Sequence, residues 1–104
     1  MTVVKVCQLS ELADGLPRQV EVDGQPVLVV QVEGELFAVS DTCSHADISL
    51  VGGEIEAGEC AVECPKHGSL FSLRTGEALT MPATQPIEVF AVSVEDQEVV
   101  ISHG

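Results

Sequence analysis

Two short clusters carry the residue types that can bind a metal: Cys43-Ser44-His45 and Cys64-Pro65-Lys66-His67. Each offers one thiol and one imidazole, and residues 46–63 lie between them. Gly68-Ser69 follows His67 directly, and a glycine there lets backbone N–H groups approach a bound ion or sulfide. Two cysteines and two histidines on paired loops can hold one tetrahedral zinc ion. They can equally hold a [2Fe–2S] cluster, with two thiolates on one iron and two imidazoles on the other. The order of the donors weighs against zinc. Zinc fingers place both cysteines ahead of both histidines, with a helix carrying the second pair. Here the order is Cys, His, Cys, His, and no helix is signalled.

Other donors fit less well. An all-cysteine cluster built from Cys7, Cys43, Cys60 and Cys64 lacks any Cys-x-x-Cys pair or ferredoxin spacing. Cys7 and Cys60 read instead as buried small hydrophobes. His45, His67 and His103 are the complete set of histidines, so any site needing four is excluded. His103 lies in the tail Ser102-His103-Gly104 and reads as solvated. Met81 reads as packing. Lys66 and Asp47 each read either as plain surface charges or as groups that tune the site or meet a partner.

The elements that must position these clusters are short strands. Thr2 to Cys7 alternates around valines, and Leu9-Ser10-Glu11-Leu12 makes at most one helical turn, stopped by Asp14-Gly15. Val20 and Val22 alternate with Glu21 and Asp23, and Asp23-Gly24 is a hairpin-type turn. Val27 to Val32 is almost continuously apolar, as expected of a strand covered on both faces, and Glu33-Gly34 turns the chain into Leu36 to Ser40. Near the end, Phe90, Val92 and Val94 share one face and Ala91 and Ser93 the other. A polar turn from Glu95 to Glu98 leads into Val99-Val100-Ile101. From Asp41 to Pro86 the β pattern is interrupted and the chain is rich in Cys, His, Gly and Pro. Loops of that length in a small domain are usually functional. The expected architecture is all-β, a meander or small antiparallel β-sandwich, one domain over residues 1–104 with the loops that carry the chemistry at about 41–86.

Composition narrows the function. A chain of 104 residues and 10.9 kDa supports one small core. Its hydrophobic fraction of 45% belongs to a folded chain, not a disordered acidic tail. Seventeen acidic residues against four basic ones give a net charge of −13, which repels nucleic acid and anionic membrane surfaces. The start of the sequence lacks the pattern of a signal peptide, and no run of about 20 apolar residues is present to span a membrane. The expected compartment is the cytoplasm, where cysteines serve as metal ligands or thiols more often than as disulfides. Glu54, Glu56, Glu59 and Glu63 read as a solvated face that can also steer docking to a basic partner surface.

The pattern Cys43-x-His45 followed by Cys64-x-x-His67-Gly68-Ser69 resembles a Rieske iron–sulfur protein. Leu50 to Gly53, Phe71-Ser72-Leu73-Arg74-Thr75-Gly76 and Pro82-Ala83-Thr84-Gln85-Pro86-Ile87 extend the similarity to the Rieske-type ferredoxins of bacterial multicomponent oxygenases. The resemblance implies one [2Fe–2S] cluster, with Cys43 and Cys64 on the inner iron and His45 and His67 on the outer, solvent-facing iron. It also implies that Pro82 to Pro86 lies over the cluster. The Rieske proteins of cytochrome bc complexes add a cysteine to each loop and join the two by a disulfide; this chain has Ile48 and Lys66 there. Those proteins also place a tyrosine hydroxyl near a ligand sulfur, where this chain has Phe71, while Ser69 keeps the serine position. With one donor missing and an anionic surface, the expected potential lies toward the low end of the Rieske range, roughly −150 mV rather than +300 mV.

The function implied is that of an electron carrier, not an enzyme. Such a ferredoxin is a monomer that takes single electrons from a flavin-containing NAD(P)H reductase and delivers them to a terminal oxygenase. The chain cannot itself be the oxygenase, whose catalytic iron needs two further histidines where only His103 remains. Two alternatives stand beside this reading: the small Rieske-like subunit of an NADH-dependent nitrite reductase, and a zinc-binding structural module without redox chemistry.

Overall fold

The computed structural model describes residues 2–42, 49–65, 68–80 and 85–103. Among the described residues nine strands follow one another: β1 (Thr2–Gln8), β2 (Arg18–Val22), β3 (Gln25–Val32), β4 (Glu35–Ser40), β5 (Ile55–Glu56), β6 (Ala61–Glu63), β7 (Leu70–Ser72), β8 (Val89–Glu95) and β9 (Glu98–His103). Single 3₁₀ turns occupy Leu9–Glu11 and Leu50–Gly52, and the described residues include no α-helix. All strand pairs are antiparallel. They form a six-stranded sheet in the order β1-β9-β8-β4-β3-β2 and a three-stranded sheet in the order β5-β6-β7.

The strand β3 organises both cores. Val27 to Val30 are fully buried, and their side chains alternate between two apolar clusters. Val27 and Val29 join Val22, Ala38, Phe90, Val99 and Ile101, so one cluster draws on residues from β2, β3, β4, β8 and β9. Val4, Val6 and Cys7 of β1 pack against it. The large sheet therefore curls over on itself, and its edge strands β1 and β2 come into contact. Along β4 and β8 its two halves pair through Ala38–Phe90 and Val39–Val89, and the Ser40 N–H donates to the Glu88 carbonyl at 2.8 Å. A register irregularity between Lys5 and Cys7 lets the adjacent Val6 and Cys7 both pack inward. Leu28, Val30 and Val32 point the other way and meet Leu50, Val62, Cys64, Phe71, Leu73 and Ile87. That second cluster docks the small sheet onto the outside of β3 and β4. Burying each of these side chains is worth roughly 1.5–3 kcal/mol. A one-residue slip of β3 would exchange the two sets, so its register is tightly specified.

The hairpin turns follow the expected residues. Asp23-Gly24 and Glu33-Gly34 both hold positive φ at their two central positions, the geometry that suits the right-handed twist of the flanking strands. Asp96-Gln97 turns β8 into β9 in the same way without a glycine. The stretch after β4 departs from the sequence expectation. It reads as irregular in sequence, yet it contains the whole three-stranded sheet, because strands of two or three residues are too short to show a period of two. Cys7 and Cys60 also differ from expectation: both are half-buried at the margins of the cores, not enclosed.

Candidate metal centre

The structure defines closely the segments that flank the two clusters of potential ligands in the chain. The first loop leaves β4 at Asp41 and returns at Ser49, and Thr42 and Ser49 pair across its neck. Asp41 is 1% exposed, and its carboxylate accepts hydrogen bonds from the Gln19 amide, the Ser49 hydroxyl and the Val51 N–H, the last at 2.9 Å. The Leu50 N–H donates to the Asp41 carbonyl at 2.6 Å. Leu50 then enters the core, and the 3₁₀ turn over Leu50–Gly52 ends with the Gly53 N–H donating back to the Leu50 carbonyl.

The second loop closes on itself. The Cys64 N–H donates to the Ser69 carbonyl at 2.7 Å, and the Gly68 N–H donates to the Cys64 carbonyl at 2.9 Å. Gly68 has φ +73°, a left-handed conformation that an L side chain rarely adopts. Cys64 and Ser69 are both fully buried. The chain continues through β7 into a tight turn in which Ser72 Oγ accepts from the N–H groups of Arg74 and Thr75, each at 3.2 Å. Gly76 sits so close to the incoming chain that a Cβ there would lie 2.1 Å from the Ile87 carbonyl oxygen. This contact, with the Ile87 N–H donating to the Gly76 carbonyl at 2.8 Å, holds Ile87 against the turn that follows β7.

Glycine also joins the two stems. A Cβ on Gly53 would lie 1.7 Å from the Glu63 carbonyl oxygen, so the two backbones touch where only hydrogen fits. The Glu63 N–H donates to the Glu54 carbonyl at 2.8 Å. The return of the first loop is thereby fixed against the residue that precedes Cys64. Gly52 faces Pro65, with room for ordinary contact.

Among the predicted ligands, Cys64 is placed in the core cluster at the head of the second loop. Cys43, His45 and His67 lie outside the described residues, as do Asp47, Ile48, Lys66, Met81 and the segment 82–84. Two thiols and two imidazoles are a donor set suited to a [2Fe–2S] cluster, and full burial suits Cys64 to an iron turned away from solvent. Phe71 is fully buried in the same core cluster as Cys64. Asp41 and Gly53 are the structural residues that sequence patterning did not single out, since their roles depend on partners distant in the chain.

The surrounding electrostatics are simple. Lys5, Arg18 and Arg74 pair with Glu98, Glu11 and Glu35 on the surface. Arg74 makes two hydrogen bonds to Glu35, of 3.0 and 3.3 Å, and its guanidinium lies 5.1 Å from the centre of the Phe37 ring. The Glu35 carboxylate holds the Arg74 pKa above its ordinary value. Desolvation raises the thiol pKa of Cys60, against a smaller opposing effect from Arg74. Cys7 is raised for the same primary reason, with Arg18 opposing. Glu54, Glu56 and Glu59 are exposed and Glu63 is half-buried, in keeping with a solvated acidic face. No helix among the described residues is long and apolar enough to cross a membrane.

Comparison with known proteins gives a consistent result. The family model of the Rieske [2Fe-2S] domain matches residues 2–91. The ferredoxin component of biphenyl 2,3-dioxygenase from Rhodococcus jostii (strain RHA1) is 41% identical, over 97% of this chain and 92% of its own. The ferredoxin of carbazole 1,9a-dioxygenase from Nocardioides aromaticivorans IC177 superposes with a TM-score of 0.94 at 34% identity, covering 98% of each chain. A structure of reduced oxygenase with oxidized ferredoxin in carbazole 1,9a-dioxygenase contains a chain similar at a TM-score of 0.89 and 36% identity, over 96% of this chain and 92% of that one. Chains described as nitrite reductase small subunits share the fold at 27% and 19% identity.

Proposed function

Because the chain belongs to the Rieske [2Fe-2S] domain family, we propose that it is a single-electron carrier serving a multicomponent dioxygenase. The observation that carries this reading is the 41% identity, along nearly the whole chain, to a dioxygenase ferredoxin component. Cys43, His45, Cys64 and His67 would hold the cluster, which when bound supplies one reversible one-electron couple. The chain's own contribution is to fix the two ligand loops: Asp41 closes the stem of the first, the Cys64–Ser69 backbone pair closes the second, and Gly53 holds one against the other. Residues 1–104 would act as one domain, with the cluster-binding portion at about 41–86.

The electron donor would be a flavin-containing NAD(P)H reductase and the acceptor a terminal oxygenase. The complex of oxygenase and ferredoxin in carbazole 1,9a-dioxygenase supports the second assignment. The net charge of −13 suits brief docking against basic surfaces, and a monomer in the cytoplasm suits a carrier that visits two partners in turn. The test is stopped-flow mixing of the reduced protein with an oxidised oxygenase at increasing ionic strength. A carrier transfers its electron in a bimolecular step that slows as salt rises. A chain that purifies only as a fixed part of a larger reductase would belong instead to the nitrite reductase class.

A further inference from the structure

We propose that Asp41 is a positioning residue for the first ligand loop, acting through the loop's two stems and not by contact with the metal. This rests on the reading of Cys43 and His45 as ligands. Each polar atom of Asp41 is engaged with a different part of the fold. Its N–H donates to the Pro26 carbonyl at 3.1 Å, tying it to the start of β3, and its carbonyl accepts from the Leu50 N–H. Oδ2 accepts from Gln19 of β2 and from the Ser49 hydroxyl. Oδ1 accepts from the Val51 N–H at 2.9 Å, a donor that Ser49 Oγ also approaches at 3.4 Å. Asp41-Thr42 and Ser49–Val51, which flank residues 43–48 in the chain, are thus tied to each other, and one side chain fixes both to the large sheet.

The chemistry asks for a carboxylate here. Three donors converge on two oxygens, and each described donor is uncharged. An acceptor-only group meets all three. Alanine would remove the shared acceptor of three part-buried, charge-assisted hydrogen bonds at once. Asparagine keeps the shape and one acceptor for Val51, while its NH₂ can donate to the Ser49 hydroxyl oxygen and to a turned Gln19 amide. The loop should therefore loosen strongly with alanine and only slightly with asparagine.

The experiment compares anaerobically purified wild type with Asp41→Ala, Asp41→Asn and Gln19→Ala. It reads the loss of visible absorption in excess chelator, the g-values after dithionite reduction, and the exchange of the Leu50 and Val51 amides. Asp41→Ala should release its cluster at least about tenfold faster, the scale set by losing charge-assisted bonds. It should also shift the g-values and expose both amides to exchange. Asp41→Asn should recover most of each effect, and Gln19→Ala should show a smaller version of the same change. Wild-type g-values and release rate in Asp41→Ala, or no rescue by asparagine, would overturn the proposal. Should Asp41→Ala fail to fold, Gln19→Ala and Ser49→Ala carry the test, and unchanged release in both overturns it. A colourless wild-type protein would refute the cluster reading alone. The Leu50 and Val51 amides of the metal-free chain would still report on the clamp, and unchanged exchange in Asp41→Ala and Gln19→Ala would then overturn it.

Discussion

Replacing Gly53 by alanine tests how the two loop stems are held together. Gly53 has φ −88°, which any L residue adopts, so the backbone conformation itself is not strained by the substitution. The effect comes entirely from the new methyl group. It would lie 1.7 Å from the Glu63 carbonyl oxygen, 2.9 Å from the Glu63 carbonyl carbon and 3.3 Å from the Leu50 carbonyl oxygen. A carbon and a carbonyl oxygen normally approach no closer than about 3.3 Å, so the two stems must part by about 1.6 Å. All the near atoms are backbone, and no flexible side chain can yield. The 2.8 Å bond from the Glu63 N–H to the Glu54 carbonyl lies in the path of that movement. Losing it costs about 0.5–1.5 kcal/mol, and forcing backbone apart in a packed region costs about 1–3 kcal/mol more. The expected destabilisation is about 2–4 kcal/mol, a large share of the ~5–15 kcal/mol typical of a domain. For a domain of this size each kcal/mol moves the melting temperature by about 4–8 °C, so Gly53→Ala should melt more than about 8 °C below wild type. Gly52→Ala is the matched control: among the described residues its Cβ would meet only Pro65 Cγ at 3.9 Å, and its effect should stay within about 0.5 kcal/mol. Thermal denaturation followed by circular dichroism measures both. Equal melting of Gly53→Ala and Gly52→Ala would refute the reasoning, since the contact would then carry no strain.

Three further predictions concern the site and its thiols. Cys64→Ser should abolish the visible absorption of the purified protein while leaving its circular dichroism that of a β protein; retained colour would remove Cys64 from the ligand set. Phe71→Tyr should raise the midpoint potential, because a hydroxyl donor near a ligand sulfur favours the electron-rich reduced state, and voltammetry showing a lower potential would contradict this. The wild-type potential itself should lie toward about −150 mV. Desolvation raises the thiol pKa of Cys60, so it stays protonated and slow to alkylate at neutral pH. Its alkylation should rise with pH along a curve displaced to higher pH than that of free cysteine, and mass spectrometry of the labelled peptide reads that curve.

How much of this could be read from sequence depends on the range of each interaction. The run Val27 to Val32 announced a strand covered on both faces, because burial of both faces leaves a continuous apolar signature. Asp23-Gly24 and Glu33-Gly34 marked their turns through local backbone preference alone. The pairs Cys43–His45 and Cys64–His67 stood out for a similar reason, since each falls within a few residues of sequence. The small sheet was hidden, as β5, β6 and β7 have two or three residues each and are held by tertiary packing of Val62 and Phe71. Asp41 read as one acid among seventeen, and its role needs Gln19, 22 residues away in the chain. Gly53 likewise acquires its meaning only when Glu63 is brought against it. Burial of Cys7 and Cys60 was overestimated, because cysteine's general preference for the interior does not distinguish a core from its margin.

The central claim is that this chain carries a [2Fe–2S] cluster held by two thiolates and two imidazoles. Anaerobic purification, followed by the visible spectrum and the EPR spectrum after dithionite reduction, tests it most directly. The account predicts a red-brown protein with two irons and two sulfides per chain, and a reduced signal of lowered average g-value. A colourless, EPR-silent protein binding one zinc per chain would contradict it, and the electron-carrier assignment would fall with it.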